Sequence, residues 1–555
     1  MESSILDDYD DARFYFEDYY PSALKENYDD DFVDEYRSNI IDEDYQRFVS
    51  IDTNDQSVSN LIILCIRPTV LDAISNFVWP IIFTNIATLL LTILVLKISH
   101  KLNNQYLSDC ISLLQQSILI LNGSLLIRFY FHRSSNHHLF WILSSVIFIV
   151  ILSVSISIIV SIESSRKWPF RLLIWSENLF LIAINEYQIF FKGNEEFLQL
   201  RPQLMMILMK SISFHDELLS RLIKKESDTP NLIKVIFEFG GYLLHPSSIL
   251  LGIWHPISNQ SVLLHQTNFL TLMKNCFNSL RSLFISLAFL ISSTCLIEYF
   301  VDNYLLKSTE IFLETIWDSF ESSQLWIGYA SLLQAYSTAT QFHCSHYFIC
   351  FLGQSMFDLW NFQVTITKPR KIEWPRSLVD VVVAWNIPMH RWLKKHVFQE
   401  IRKYCNVYCT IMATYLISSL MHGFNFQIWS VLLTLGLLTQ AEFKLRNIFS
   451  KIFSACVESR ECFLRLNRPD KIRDQFVCDK HQRTKMRFGF VKTINLVFTC
   501  IALINLAFLG SLFDGQPNSS SISNVWIKWK NLKFYSFIIL ITEFILYEIL
   551  KVKFN

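Results

Sequence analysis

His422 lies in the run Thr414–Gly423, a titratable imidazole between two apolar stretches each about long enough to cross a bilayer. Ionisable groups at membrane depth are costly and face a partner or a water-filled cavity, so such a residue reads first as functional. A neutral imidazole is also the side chain best suited to take a proton near pH 7. The plainer reading is a packed histidine hydrogen-bonded between helices. Upstream, Pro375 and Pro388 bracket an apolar piece too short to span, which reads as a re-entrant or interfacial helix. Asn386 falls near its end. An amide does not titrate, so Asn386 is no general base, but it can donate to a carbonyl or a developing oxyanion. On its own it would pass for a helix-end or turn residue. A helix from Cys405 to His422 rises about 26 Å. The two side chains can share a centre only if the Asn386 segment dips into the interior, with protein or a cavity around it.

The elements that must position them are membrane helices. Half of the chain is apolar (51%), aromatics make up 15%, and Phe (47) far outnumbers Tyr (21) and Trp (14). A soluble domain with that surface would aggregate, whereas a bilayer accepts it. Strong candidate spans are 78–96, 139–162, 283–300, 405–421, 424–441, 490–513 and 534–550. Weaker, polar-interrupted ones are 110–127, 172–183, 204–214, 232–254 and 325–352. The fold class is therefore an all-α, polytopic integral membrane protein with roughly ten to twelve transmembrane or re-entrant helices. It divides into an acidic tail over 1–57 and a helical core over 58–555.

Charge is balanced overall, with 49 Lys and Arg against 49 Asp and Glu, but unevenly placed. Residues 1–56 hold eighteen acidic side chains against four basic ones, with neither helical nor alternating period. This reads as a disordered tail, dispensable for chemistry. No basic region followed by an apolar one opens the chain, so no cleaved signal peptide is expected. Nothing in the pattern points to nucleic acid.

The twelve cysteines are scattered and read as no secreted disulfide framework. Cys456, Cys462, Cys478 and His481 share a polar loop, but reduced thiols explain the loose spacing better than a zinc site. No metal is expected. The loop 442–486 is rich in Lys and Arg, which places it in the cytosol. The next span then runs outward and puts Asn518, in a glycosylation sequon, in the lumen. His422 falls toward the lumenal end of its hairpin.

Trp385, Asn386 and Pro388, followed 36 positions later by a membrane-embedded His422, resemble the membrane-bound O-acyltransferase family. Supporting runs are Trp374–Val382, Ser419–Phe426, Phe453–Val457 and Leu506–Asp514. The resemblance is firm over roughly 200–555. One departure is Gly252, Ile253 and Trp254, where the family often shows Gly-Pro-Trp. Within the family, the runs around Leu506–Asp514 and Phe453–Val457 resemble the branch that places palmitoleate on a serine of secreted Wnt-type proteins. The resemblance implies acyl transfer from palmitoleoyl-CoA, a co-substrate rather than a cofactor, at the endoplasmic reticulum membrane. The partners would be that acyl donor, the Wnt-type protein and membrane lipid, meeting in a central tunnel. It implies His422 as general base and Asn386 as oxyanion donor or carbonyl holder. Trp385, Tyr415, Ser418 and His343 would line the acyl-CoA and substrate site; Tyr415 and Ser418 lie seven and four positions before His422, on its helix face. As plain packing residues, Tyr415 and Ser418 would be unremarkable, and His343 fits a structural hydrogen bond at least as well. Arg391, Lys394, Lys395, Arg402 and Lys403 either attract CoA phosphates or anchor a helix end on the positive side. The nearest alternatives are a lysophospholipid or sterol acyltransferase and a hedgehog- or ghrelin-type protein acyltransferase. A polytopic transporter would leave internal-repeat symmetry, which this sequence lacks.

Overall fold

The computed structural model describes residues 61–554 apart from breaks at 103–104, 135, 164–167, 224–231, 259–268, 302–322, 363, 461–463, 467–475, 479–487 and 514–521. The acidic tail, Asn518, Cys462 and His481 lie outside the described residues.

The described residues are all-α apart from one small two-stranded antiparallel sheet. A continuous helical stretch from Ile62 contains two π-helical turns, α1 (Arg67–Ala73) and α2 (Trp79–Leu102). Then come α3 (Gln105–Arg133), α4 (His137–Glu163), α5 (Trp168–Lys192), α6 (Arg201–Ile223) and α7 (Leu232–Leu243). The middle of the chain forms α8 (Phe269–Ile291), α9 (Ile297–Phe300) and α10 (Ser323–Leu359). Short helices α11 (Pro369–Glu373), α12 (Leu378–Trp385), α13 (Ile387–Leu393) and α14 (Gln399–Ile401) lead to α15 (Val407–Met421) and α16 (Phe426–Phe453). β1 (Leu464–Leu466) and β2 (Phe476–Cys478) pair antiparallel before α17 (Phe488–Gly510), α18 (Ile522–Asn531) and α19 (Tyr535–Phe554).

Six stretches of described helix are long and apolar enough to cross a membrane: Ile62–Lys97, Cys110–Arg133, His137–Val160, Leu270–Leu296, Phe426–Phe453 and Gly489–Gly510. The larger expected count drew on shorter or more polar elements. One of them, 232–254, is helical only to Leu243; the rest is a buried irregular segment. Helix α15 has fifteen residues, about 22 Å at the usual rise, short of a full crossing. The segment read as a basic loop from 442 starts inside α16, which runs on to Phe453 and ends on left-handed Ser454.

Two large apolar clusters make most of the core among the described residues, with a small third one of Val379, Val383 and Phe443. Of the large two, one joins α2 to α8 with parts of α10 and α13; the other joins α10 and α12 with α15 to α19. Helices α8 and α10 run antiparallel, since the Ser279 and Ser355 hydroxyls meet at 2.9 Å while Ser286 donates to the Phe348 carbonyl at 2.7 Å. This direction brings the end of the α8 stretch, the start of α10 and the end of α17 to one side, where Gly510 packs onto Ala339.

Cys65 and Cys295 form a disulfide across 230 residues of sequence, with their Cα atoms 6.0 Å apart. The cysteine pattern predicts no secreted disulfide framework, and this one pair is separated too far in sequence to leave a spacing signal. Such bonds persist in oxidising compartments. Cys295 lies at the end of the bundle shared with Ala339 and Gly510, opposite the end where Phe453 of α16 meets Phe490 of α17.

Candidate active site

Helix α12 forms because Ser377 caps it, accepting the Asp380 amide at 3.3 Å, and six of its eight residues are Leu, Val or Ala. All eight are buried, so this segment does dip into the protein. Its foot is fixed: Ser377 donates to the Ser459 carbonyl (2.9 Å), Arg376 to the carbonyls of Cys456 and Glu458 (2.7 and 3.0 Å), and Glu442 accepts the Leu378 amide (2.8 Å). The helix stops at Asn386, because Pro388 at the second position of α13 cannot continue it.

Asn386 is both the end of α12 and the cap of α13. Its Oδ1 accepts the Met389 amide at 3.1 Å. That commits the oxygen and leaves the two Nδ2 hydrogens as donors, in a residue only 3% exposed. Beside it, Trp385 is held on three sides. His346 stacks on the indole at 4.2 Å and donates from Nε2 to the Trp385 carbonyl (3.0 Å). Phe342 stacks at 5.7 Å, and His343 meets it edge-on at 5.1 Å.

His343 is oriented in turn, with Nδ1 3.0 Å from Glu373 Oε1, which also accepts from the Tyr347 hydroxyl at 2.6 Å. Burial alone would lift the Glu373 carboxyl; the His343 imidazole and the two hydrogen bonds bring it below its ordinary range. Trp385, His343 and Phe342 line one narrow apolar cavity with Val381, Leu435 and Phe513.

His422 ends α15 as its C-cap and is 9% exposed. The turn after it needs Gly423, whose φ is +78° and whose absent Cβ leaves room for the Glu186 carboxylate. Glu186 accepts the Phe424 amide at 2.9 Å and holds Arg201 in a two-pronged ion pair, both contacts 2.8 Å. Trp429 Nε1 donates to the Gly423 carbonyl (2.7 Å), and Asn425 caps α16. Tyr415 is buried against Gly436, where a Cβ would stand 2.8 Å from its ring. Ser418 is fully buried, and its hydroxyl has no hydrogen-bond partner among the described residues.

The end of α17 links the two breaks. Gln427 donates to the Leu512 carbonyl at 2.6 Å, and the next residue, Phe513, stacks at 4.0 Å on Phe342, itself against Trp385. Trp385 and Tyr415 share one apolar cluster, Met389 and Met421 the other. The structure thus gathers Trp385 and His343 in one cavity, with Tyr415 in the same cluster. It sets Asn386 and His422 at two helix breaks joined by the same two residues.

Among the basic candidates, Lys403 pairs with Glu400 (2.7 Å) and Arg402 donates to the Cys405 carbonyl, contacts that serve the turn before α15. No group of three or more potential metal ligands occurs among the described residues. Sequence reasoning missed Glu186 and Arg201. The available signal was an acid inside a mainly apolar helix, which asks for a partner.

The profile of the membrane-bound O-acyltransferase family matches residues 62–455, and the chain belongs to that family. It is a multi-pass membrane acyltransferase. Among curated proteins it is 26% identical over 419 residues to protein-serine O-palmitoleoyltransferase porcupine of Anopheles gambiae, covering 69% of this chain and 75% of that one. It is 32% identical to the proteins of that name from Homo sapiens and Mus musculus, over 50% of this chain and 58% of theirs. The chain thus spans rather more than half the length of the two mammalian relatives.

Proposed function

We propose that this protein transfers a palmitoleoyl group from palmitoleoyl-CoA to a serine hydroxyl of a secreted Wnt-type protein, at the endoplasmic reticulum membrane. The observation that carries the reading is the buried break at Asn386, whose amide hydrogens meet no acceptor among the described residues, tied through Leu512 and Phe513 to the His422 turn. The relatives named as protein-serine O-palmitoleoyltransferases support the acyl group and the acceptor.

In this mechanism His422 takes the proton of the serine hydroxyl as its oxygen attacks the thioester carbonyl. Asn386 Nδ2 donates to the oxyanion that forms, a contact typically worth about 2.7–4 kcal/mol. Collapse of the intermediate expels the CoA thiolate, which takes up a proton, and leaves an oxygen ester on the serine. A thiolate leaves readily, so neither a metal nor a covalent acyl-enzyme is called for. Trp385, clamped by His346 and Phe342, gives the acyl chain a rigid apolar wall. His343, Tyr415 and Ser418 complete the lining. The disulfide side, which His422 approaches, is where a secreted serine arrives, while acyl-CoA comes from the basic side.

The test is a purified protein in nanodiscs given palmitoleoyl-CoA and a Wnt-derived serine peptide, with the product read by mass spectrometry. The expected product carries one palmitoleoyl ester on the serine. Acylation of a lysophospholipid instead, with the peptide untouched, would replace this reading.

A further inference from the structure

A second cavity, of about 500 Å³, lies between α16, α17 and α19, well within the roughly 300–1,000 Å³ of sites that hold small molecules. Its walls carry four phenylalanines, Phe449, Phe453, Phe490 and Phe498, with Ile, Leu and Val between them. It borders membrane-facing positions, since Val497 is 51% and Ile538 56% exposed. Two wall hydroxyls are already committed: Thr493 donates to the Gly489 carbonyl (2.9 Å) and Thr542 to that of Ile538 (2.8 Å). Glu543 is not. It is 5% exposed, lines the cavity, and neither carboxyl oxygen has a hydrogen-bond partner among the described residues.

The charged groups that Glu543 feels are Glu442 and Arg446. The Arg446 guanidinium is spent on the carbonyls of Arg376 and Glu458 (3.2 and 3.1 Å) and on Asn495 (2.7 Å). A carboxyl buried in apolar surroundings without a partner is costly, and within a membrane helix it marks a site with a partner to be named.

We propose that this cavity binds a sterol, its flat apolar body against the phenylalanines and its hydroxyl hydrogen-bonded to Glu543. A hydroxyl both donates and accepts, as a neutral carboxyl does, so one contact satisfies both groups. An anionic head group would meet the Glu543 carboxyl, with Arg446 already on Glu442 (3.5 Å), and a cationic one would find Glu543 as the single acidic group in an otherwise largely apolar lining. A bare acyl chain would leave Glu543 unmatched. The site is separate from the Trp385 cavity, but it braces α16, whose Glu442 accepts the Leu378 amide at the foot of α12.

The experiment is saturable labelling of the protein in nanodiscs by a photoreactive cholesterol analogue, mapped to peptides of α17 and α19. Unlabelled cholesterol should compete, and cholesteryl methyl ether, which cannot donate, should compete at least about tenfold less well, a difference of about 1.4 kcal/mol. Glu543→Ala should weaken labelling by a similar factor and Glu543→Gln by less, because the amide still pairs with a hydroxyl. Val497→Trp, which fills the cavity and keeps the carboxyl, should abolish it. Should Glu543→Ala fail to fold, the methyl-ether comparison on the unaltered protein and Val497→Trp still decide. Labelling that does not saturate, survives Val497→Trp, or is competed equally by the ether or by palmitoleic acid would overturn the proposal.

Discussion

The two helix breaks at the candidate site are built in opposite ways. At Asn386 the break is capped by the side chain proposed to act: one end of the amide holds α13 in place and the other is left to donate. At His422 the turn is held from outside, by the Glu186–Arg201 pair, the Gly423 conformation and the Trp429 indole, while the imidazole takes no part in those three supports. Chemistry and architecture are therefore fused in the proposed role of Asn386, whereas the His422 turn has supports that do not pass through the imidazole.

The largest expected effect tests the His422 turn. His422→Ala should lower transfer by about 10²–10⁴-fold, the usual contribution of a general base, with the thermal midpoint falling less than in Glu186→Gln. Near wild-type transfer would remove His422 from the mechanism, and a large drop in midpoint would erase the contrast. The fused break should behave differently under two substitutions. Asn386→Asp keeps an oxygen for the Met389 amide but loses the amide donor, so turnover should fall about 100-fold or more while stability holds. Asn386→Ala should lose the cap as well, adding about 1 kcal/mol of destabilisation. Normal turnover in the Asp variant would mean that the amide hydrogens do nothing.

The outside support comes next. Glu186→Gln leaves Arg201 buried without its charge partner, which typically costs about 3–5 kcal/mol, and displacing the turn by an ångström is enough for about a 100-fold loss of rate. A variant as stable and active as wild type would show that the pair does not hold the turn. The smallest effect is expected at Gly423→Ala, where the positive φ and the nearby carboxylate cost about 1–3 kcal/mol. Thermal shift measurements on the detergent-solubilised protein would read it, and no shift would mean that the turn tolerates a side chain.

Much of this was legible from the sequence. The long apolar runs marked α4, α17 and α19, and the bracketing prolines marked the dipping segment that ends at Asn386. Helix α3 looked weaker than it is, because polar residues interrupt its apolar run. In the structure Ser117 and Asn122 return their hydrogen bonds to the carbonyls of Leu113 and Ile118, so the helix satisfies its own polar atoms. Counting apolar residues does not see that. The Glu186 clamp was illegible for another reason: Glu186 and Phe424 stand 238 positions apart, and only packing brings them together. The same holds for Cys65 and Cys295.

The anchored foot of α12 has a mechanical meaning. Residues 456–459 grip Arg376 and Ser377, and from there eight buried helical residues run without a joint to Asn386. The segment acts as a strut, stiff along its length and fixed at the base. Anything that seized residues 456–459 and shifted that turn would push on the Asn386 amide directly, so this end of the bundle offers a lever on the proposed site.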